Sequence, residues 1–418
     1  MTTTAACPVH EDIDLLDPAF LTDPFPLSSR LREESPVFYV PEIDLHFVTR
    51  YDDIQRIFLD RDTFAAAIAS SPVWPPCAAA AKIMSEGISR VPTLTNADPP
   101  RHAPMREAVH KCLTPQRIKS LEPALRAQAR KLIEGFAQDE RVELSAQLAF
   151  PFPGYVGFML LGFPERDWEM LKTWCRNRVL ITYGHLTEQE QVDVAKNMVA
   201  FWDYCTQIVA DHVRNPRDNF TTDLLAWAED PEHGVTRNDV ESIVYSIALA
   251  GHDSTTNLFT NGLRFLLANR DQWDAVRQDR TLLPNAVEEM LRFDPPIAGW
   301  RRITTRDTEV GGTFLPAGSK LFLSFVSAHR DDAQFPDADT FDIERPNART
   351  HLSFGKGVHM CLGAPLARME MRVAVELLGE LTPHMTLVED QSFEQSPNLV
   401  FRTMRELWAY TGNVPAAS

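Results

Sequence analysis

The stretch from residue 99 to about residue 290 constrains the fold most, because its apolar residues recur at i, i+3 and i+4 almost throughout. This spacing places apolar side chains on one face of an α-helix. It predicts helices at Glu122–Ala137, Glu165–Val179, Thr187–Arg214 and Phe220–Ala228. The longest periodic run, Val235–Asn269, predicts one further helix, whose middle must be buried because it would cross the whole domain. Thr236 followed by Asp239 is typical of a capping box at its start.

The flanking segments carry shorter patterns. Helices are predicted at Leu27–Glu34, Asp52–Leu59 and Pro365–Leu381. Strands are predicted at Pro36–Val40, Asp44–Thr49, Glu309–Gly312, Thr313–Leu315 and Lys320–Ser324. Residues 70–97 contain several prolines and predict a long, partly irregular loop. The fold class is therefore mainly α with small β-sheets (α+β), as a single domain over residues 23–418 that follows a flexible segment of residues 1–22.

The charge and the cysteines exclude several classes of protein. The chain has 41 basic and 58 acidic residues, a net charge of −17, which disfavours binding to nucleic acid or to anionic lipid. The six cysteines are widely spaced and contain no CxxC pair, which disfavours a disulfide framework or a zinc ribbon. The first residues lack the basic and apolar parts of a signal peptide, and the most apolar stretch is interrupted by prolines and glycines. We therefore expect a cytoplasmic protein that binds neither nucleic acid nor membrane.

The segment Phe354–Pro365 contains the most informative local pattern. Its glycines permit a tight turn, and Pro365 is suited to the first turn of a helix. Cys361 therefore precedes a helix N-terminus, where amide groups and the helix dipole stabilise a thiolate. Such a thiolate could be a nucleophile or a soft metal ligand, whereas a lone cysteine is more often a buried, unreactive side chain.

Residues 354–363 match Phe-Gly-x-Gly-x-His-x-Cys-x-Gly, and on this pattern the chain resembles the cytochrome P450 family. The resemblance implies a triangular, mostly helical prism that binds haem b. It implies that Cys361 is the iron ligand, that Phe354 and Gly355 belong to the haem-binding loop, and that His359 donates to a haem propionate.

Three other segments agree with the resemblance. In residues 98–106, His102 and Arg106 match the family's propionate-binding pair, and Arg302 matches a propionate-binding arginine from the small sheet. His351 is either a further donor or only a loop histidine. The resemblance also implies a buried structural triad, which comprises Glu289, Arg292 and Arg345.

Residues 250–257 resemble the oxygen-activating segment of the family. The resemblance implies that Asp253 relays protons to bound dioxygen, together with a neighbouring hydroxyl group. Ser254 stands where most members have threonine, which puts coupling efficiency in doubt, and Thr255 could compensate in part. The alternative interpretation is a polar stripe in a buried helix.

The implied reaction inserts one atom of dioxygen into a small, largely apolar organic substrate, by hydroxylation or oxidative O-dealkylation. The stretch after Cys361 is too short for a reductase. We therefore expect that electrons come from NAD(P)H through a separate ferredoxin or flavodoxin and its reductase, or else that the chain is an isolated haem domain. We also expect a monomer. Two alternatives stay open. One is a peroxygenase that uses hydrogen peroxide directly, and the other is a haem-binding sensor or carrier without turnover.

Overall fold

The computed structural model describes residues 7–11 and 13–413 of the 418-residue chain. It is mostly helical with small sheets, which confirms the predicted fold class. In this part of the chain no helix is both long enough and apolar enough to cross a bilayer. The segment predicted to be flexible, residues 1–22, lies partly outside the described residues, and Pro18–Thr22 within it is helical.

The α-helices cover most of the chain. They are α1 (Pro18–Thr22), α2 (Phe25–Glu34), α3 (Tyr51–Leu59), α4 (Ala78–Gly87), α5 (His102–Cys112), α6 (Pro115–Phe136), α7 (Pro151–Leu161), α8 (Trp168–Tyr183), α9 (Glu188–Arg214), α10 (Phe220–Ala228), α11 (Arg237–Ala250), α12 (Asp253–Ala268), α13 (Arg270–Gln278), α14 (Leu283–Phe293), α15 (Phe325–Ala328) and α16 (Ala364–Leu381).

Within the part of the chain that the structure describes, the strands form three small sheets. They are β1 (Val37–Val40), β2 (Leu45–Val48), β3 (Phe64–Ala65), β4 (Arg141–Glu143), β5 (Gly299–Thr304), β6 (Thr308–Val310), β7 (Thr313–Leu315), β8 (Lys320–Ser324), β9 (Thr386–Leu387) and β10 (Trp408–Tyr410). The sheets have the strand orders β1-β2-β8-β5-β3, β4-β10-β9 and β6-β7. Among the strands of the described residues, β2 and β8 are the pair that runs in parallel, with Phe47 opposite Phe322.

The chain divides into two compact units. The mixed unit comprises residues up to Ile68, Ala124–Phe152 and the chain from Ser254 onwards, and it contains every sheet. The helical unit comprises Ala69–Pro123 and Pro153–Asp253. The single domain predicted over residues 23–418 stays a prediction.

Helix α3 supplies part of the core of the mixed unit. Ile54, Ile57 and Phe58 lie at i, i+3 and i+4, so they share the buried face of this helix. They belong to the same apolar cluster as Leu321 and Leu323 of β8. Burial of each such side chain contributes about 1.5–3 kcal/mol to stability, so α3 is firmly packed against the core of the mixed unit.

Two predictions about secondary structure were wrong. The loop predicted over residues 70–97 contains α4, because the prolines at its start precede the helix and the alanines from Ala78 to Ala81 favour it. The helix predicted over Val235–Asn269 is two helices, because Gly251 and His252 form a turn between α11 and α12. Glycine is a weak helix former, and it stands at the point where α11 ends.

Candidate active site

Two glycines shape the loop that carries Cys361. Gly355 and Gly357 have φ values of 64° and 69°, which only glycine adopts at little cost. The backbone N–H of Cys361 donates to the carbonyl of Phe354 at 2.9 Å, which closes the loop. Helix α16 then begins three residues later, with Pro365 in its first turn. The sulfur atom therefore lies beside a helix N-terminus, as the sequence pattern predicted.

The accessibility of Cys361 distinguishes it from the other cysteines. Cys361 is exposed, whereas the remaining five are partly or fully buried. Burial raises the pKa of Cys112 to about 11, and it raises the pKa values of Cys175 and Cys205 well above the ordinary range. These buried cysteines are therefore thiols at neutral pH, and Cys361 is the one best placed to be a ligand.

The loop around Cys361 is attached to helix α3. The Nζ atom of Lys356 donates to Oε1 of Gln55 at 2.6 Å and to the hydroxyl of Tyr51 at 3.2 Å. A Cβ atom at Gly357 would lie 2.6 Å from the carbonyl oxygen of Phe58, so the two backbones approach too closely for any other residue. These contacts hold the cysteine loop against α3.

Arg302 lies on β5 in the same unit as Cys361. Its side chain is buried, its guanidinium carbon lies 5.1 Å from the centre of the Phe58 ring, and it donates to the carbonyl of Arg301 at 2.8 Å. His359 ends the short 3-10 turn that starts at Gly357. The ring of Phe354 stacks against the guanidinium of Arg368 at 4.5 Å. The fold therefore brings the predicted loop residues together, while their roles in cofactor binding stay predictions.

His351 makes hydrogen bonds through both nitrogens of its ring. Its Nε2 atom lies 3.1 Å from Oε2 of Glu288, and its Nδ1 atom accepts the backbone N–H of Ser353 at 3.1 Å. Both ring nitrogens are thus occupied, which favours the interpretation as a loop histidine over that of a propionate donor. The sequence pattern did not predict that Glu288 would bind His351. The sequence shows only that a second acidic residue stands next to Glu289.

The predicted triad is present and buried. Nε of Arg292 lies 2.7 Å from Oε2 of Glu289, and Nε of Arg345 lies 3.3 Å from Oε1 of the same carboxylate. The two guanidinium groups also donate to carbonyl oxygens, including those of His329 and Pro336. The ion pairs fix the chain segment around residue 340 to α14, which is a structural role.

The remaining predicted haem-contact residues lie in the helical unit. His102 is buried and Arg106 is partly buried, and because they lie four residues apart they share one face of α5. The neighbouring Arg101 forms an ion pair with Asp239, the acid of the capping box of α11. This pair links the start of α5 to the start of α11 inside the unit.

Asp253 begins helix α12, directly after the turn at Gly251 and His252. It is 7% exposed, and among the described residues its Oδ2 atom has no hydrogen-bond partner. Burial raises the pKa of Asp253 to about 7, against an opposing effect of Arg176. An acid with this pKa exchanges protons readily at neutral pH. Ser254 and Thr255 follow it in the sequence, and Thr255 is buried.

His252, next to Asp253, stays neutral. Burial, followed by the positive charges of Lys172 and Arg176, lowers the pKa of His252 to about 3. The same residue stacks obliquely against Phe158, with 6.4 Å between the ring centres. Asp253 is therefore the group in this turn that can titrate near neutral pH.

Comparison with known proteins agrees with these observations. A sequence model described as cytochrome P450 matches residues 142–379. Cytochrome P450 monooxygenase PikC of Streptomyces venezuelae is 32% identical over 413 residues, which are 97% of this chain and 95% of that protein. A steroid C26-monooxygenase of Mycobacterium tuberculosis is 31% identical over 343 residues, which are 81% of this chain and 92% of that protein.

Solved structures agree as well. Cytochrome P450 CREJ, in complex with (4-ethylphenyl) dihydrogen phosphate, superposes with a TM-score of 0.92 at 35% identity, over 96% of this chain and 99% of that one. The P450 heme domain of Tepidiphilus thermophilus superposes with a TM-score of 0.91 at 33% identity, over 97% of this chain and 98% of that one. The chain belongs to the cytochrome P450 family of oxygen-incorporating oxidoreductases, which implies a haem-thiolate cofactor.

Proposed function

We propose that this chain is a haem b monooxygenase that inserts one atom of dioxygen into a small, largely apolar organic substrate, by hydroxylation or oxidative O-dealkylation. Electrons come from NAD(P)H through a separate ferredoxin or flavodoxin and its reductase, and the enzyme acts as a cytoplasmic monomer. The observation that carries the proposal is the exposed Cys361 on a two-glycine loop at the start of α16. The apolar run from Pro295 to Trp300 supports the substrate class, because it contains no charged residue.

The residues present fit a haem group. Cys361 offers an accessible sulfur donor, and a Cβ at Gly363 would lie in ordinary van der Waals contact with this sulfur, at 3.8 Å. Cys361 would hold the iron, and the propionates would bind to four cationic or histidine side chains: Arg302, His359, His102 and Arg106. When bound, the haem supplies the activation of dioxygen.

The protein residues supply binding, orientation and protons. Asp253 holds a proton on its carboxyl group up to about pH 7 and can deliver it from there. The hydroxyl groups of Ser254 and Thr255 follow in sequence and orient the transfer. An acid followed by alcohols favours the monooxygenase, which consumes two protons from solvent, over the peroxygenase alternative, in which hydrogen peroxide brings its own protons. The compact aryl ligand of the related CREJ complex supports a substrate with one aromatic ring.

The cysteine ligand is tested by the carbon monoxide spectrum of the reduced protein. The wild type should give the strongly red-shifted Soret band of thiolate-ligated haem, and Cys361→Ala should abolish it. Cys77→Ala is the matched control, because Cys77 is partly exposed and should leave the band unchanged. A band that survives in Cys361→Ala would overturn the proposal.

Turnover assays separate the alternatives. With surrogate ferredoxin, reductase and NADH, a panel of small aromatic substrates should yield oxygenated products. Faster product formation with hydrogen peroxide alone would indicate the peroxygenase. No product from any substrate with either oxidant, despite a normal carbon monoxide band, would indicate the sensor or carrier.

A further inference from the structure

Two arginines of the helical unit, Arg90 and Arg178, lie near each other, and no acidic partner for them is found among the described residues. Arg90 is partly buried in the segment after α4, and Arg178 is partly buried on α8. Among the described residues neither makes an ion pair with a carboxylate. The hydrogen bond that Arg178 makes is to the backbone carbonyl of Ser70, at 2.8 Å.

The backbone around Arg90 is attached to helix α11. The N–H of Val91 donates to the hydroxyl of Ser242 at 3.0 Å, and the hydroxyl of Thr93 lies 2.8 Å from that of Ser246. These contacts hold the segment on the face of α11 that contains Tyr245, which lies between the two serines in the helix. The position of Arg90 is therefore set by hydrogen bonds on its C-terminal side.

The charges of the two arginines act on each other and on Tyr245. Burial, and next the positive charge of Arg178, lowers the pKa of Arg90. Burial raises the pKa of Tyr245, while the charges of both arginines oppose that rise. The three groups are thus close enough to act on one another, and the aromatic ring of Phe201 packs 5.1 Å from that of Tyr245.

The pair differs from other arginines of the same unit. Arg101 has Asp239 as a partner, and Arg117 has Asp218 and Asp223. Two positive charges that are partly removed from water, close together and without an acid, are unfavourable unless an anion joins them. Guanidinium groups bind phosphate and carboxylate through paired hydrogen bonds.

We propose that Arg90 and Arg178 bind the anionic end, a phosphate monoester or a carboxylate, of a substrate whose body is apolar. The inference rests on the proposed monooxygenase function and refines its substrate class. Tyr245, buried beside the pair, limits the space on the α11 side, and Ser70 fixes the guanidinium of Arg178 through its carbonyl oxygen.

Ligand affinity of the haem-loaded enzyme tests the proposal. The probes are 4-ethylphenyl phosphate, 4-ethylbenzoate and neutral 4-ethylanisole, and the dissociation constants are measured by calorimetry and by the spin-state shift of the Soret band. At least one anion should bind ten or more times tighter than the anisole. Tighter binding of the phosphate assigns the site to phosphate monoesters, and tighter binding of the benzoate assigns it to carboxylates.

Variants locate the effect. Arg90→Gln and Arg178→Gln should each weaken binding of the preferred anion about 10- to 100-fold, and leave the anisole unchanged. Arg178→Lys keeps the positive charge and should retain part of the affinity. A loss in Arg178→Gln that Arg178→Lys does not share would therefore be due to the lost charge and not to misfolding. Arg166→Gln is the control, because this arginine is exposed and should change neither constant.

Two results would overturn the proposal. One is equal affinity of the wild type for all three probes, and the other is an equal loss for the anion and the anisole in the glutamine variants. Calorimetric binding does not depend on turnover. An enzyme with a normal carbon monoxide band that oxidises neutral probes without preferring anions would contradict this inference alone and leave the monooxygenase function intact.

Discussion

The Nε2 atom of His351 lies 3.1 Å from Oε2 of Glu288, and both side chains are buried. Because a carboxylate only accepts, Nε2 is the protonated nitrogen of the ring, which agrees with the N–H that Nδ1 accepts. Arg368 completes the group, with its Nε atom 2.7 Å from Oε1 of Glu288. Burial alone would raise the pKa of Glu288, but the hydrogen bonds from His351 and Arg368 lower it to about 2. This group joins α14, α16 and the loop before the cysteine.

We expect Glu288→Gln to lower the free energy of unfolding by about 3 kcal/mol at pH 7, because it leaves a half-buried arginine without its acid. The folded-state pKa of Glu288 lies below its unfolded value, so this stabilisation is present above about pH 4.5 and is lost as the pH falls towards 2. Urea unfolding followed by circular dichroism measures it. Glu309→Gln, at an exposed position, should change the value by less than about 0.5 kcal/mol. Equal effects of the two substitutions would contradict the assignment.

Asp253 should produce a pH dependence of turnover. Its pKa of about 7 means that the acid form, which delivers the proton, is lost as the pH rises above 7. In the wild type, product formed per NADH should therefore fall between pH 7 and 9. Asp253→Asn should lower kcat about 100-fold and remove this fall. Asp203→Asn, on the exposed face of α9, is the control and should keep the wild-type profile. A profile that persists in Asp253→Asn would assign the titration to another group.

Ser254→Thr should improve coupling. The added methyl group restricts the side-chain rotamer, so the hydroxyl spends more time in one orientation. We expect hydrogen peroxide released per NADH to fall by about half, with no large change in NADH consumption. Thr255→Ser is the reverse change at the neighbouring position and should increase peroxide release. Unchanged peroxide release in both variants would show that the methyl group does not control coupling at either position.

Gly357→Ala should destabilise the cysteine loop more than a positive φ alone explains. Its Cβ would meet the carbonyl oxygen of Phe58 at 2.6 Å, whereas Gly312, with a φ of 81°, has open space around it. We expect Gly312→Ala to cost about 1 kcal/mol from backbone strain, and Gly357→Ala to cost about 2 kcal/mol more. Thermal unfolding measures both, and the carbon monoxide band should weaken in Gly357→Ala only. A similar loss of stability at the two positions would mean that α3 moves away to make room for the added Cβ atom.

Local patterns predicted the helices well because helix boundaries have local causes. The helix predicted from Thr187 begins at Glu188, with Thr187 as its N-cap in a capping box with Glu190. The capping box predicted at Thr236 and Asp239 is also formed. In α4 the prolines in the same segment obscured the run of alanines, although they lie outside the helix.

Contacts between distant residues could not be predicted in this way. Arg90 and Arg178 carry no shared motif, and only the folded chain brings both charges to Tyr245. The bond between His351 and Glu288 likewise depends on how the loop before the cysteine packs against α14. The motif around Cys361 was the exception, because glycines with positive φ and a proline at a helix start encode its geometry within a few residues.

The attachment of the cysteine loop to α3 sets a lower limit on any minimal fragment. The segment matched by the family begins at residue 142, yet the side chains and the carbonyl that hold the loop come from Tyr51, Gln55 and Phe58. A truncated protein that starts at residue 142 would retain Cys361 and lose the surface against which its turn is shaped. Deletions, chimaeras and split versions of this protein therefore need residues 51–58 in place to retain the contacts that hold the cysteine loop.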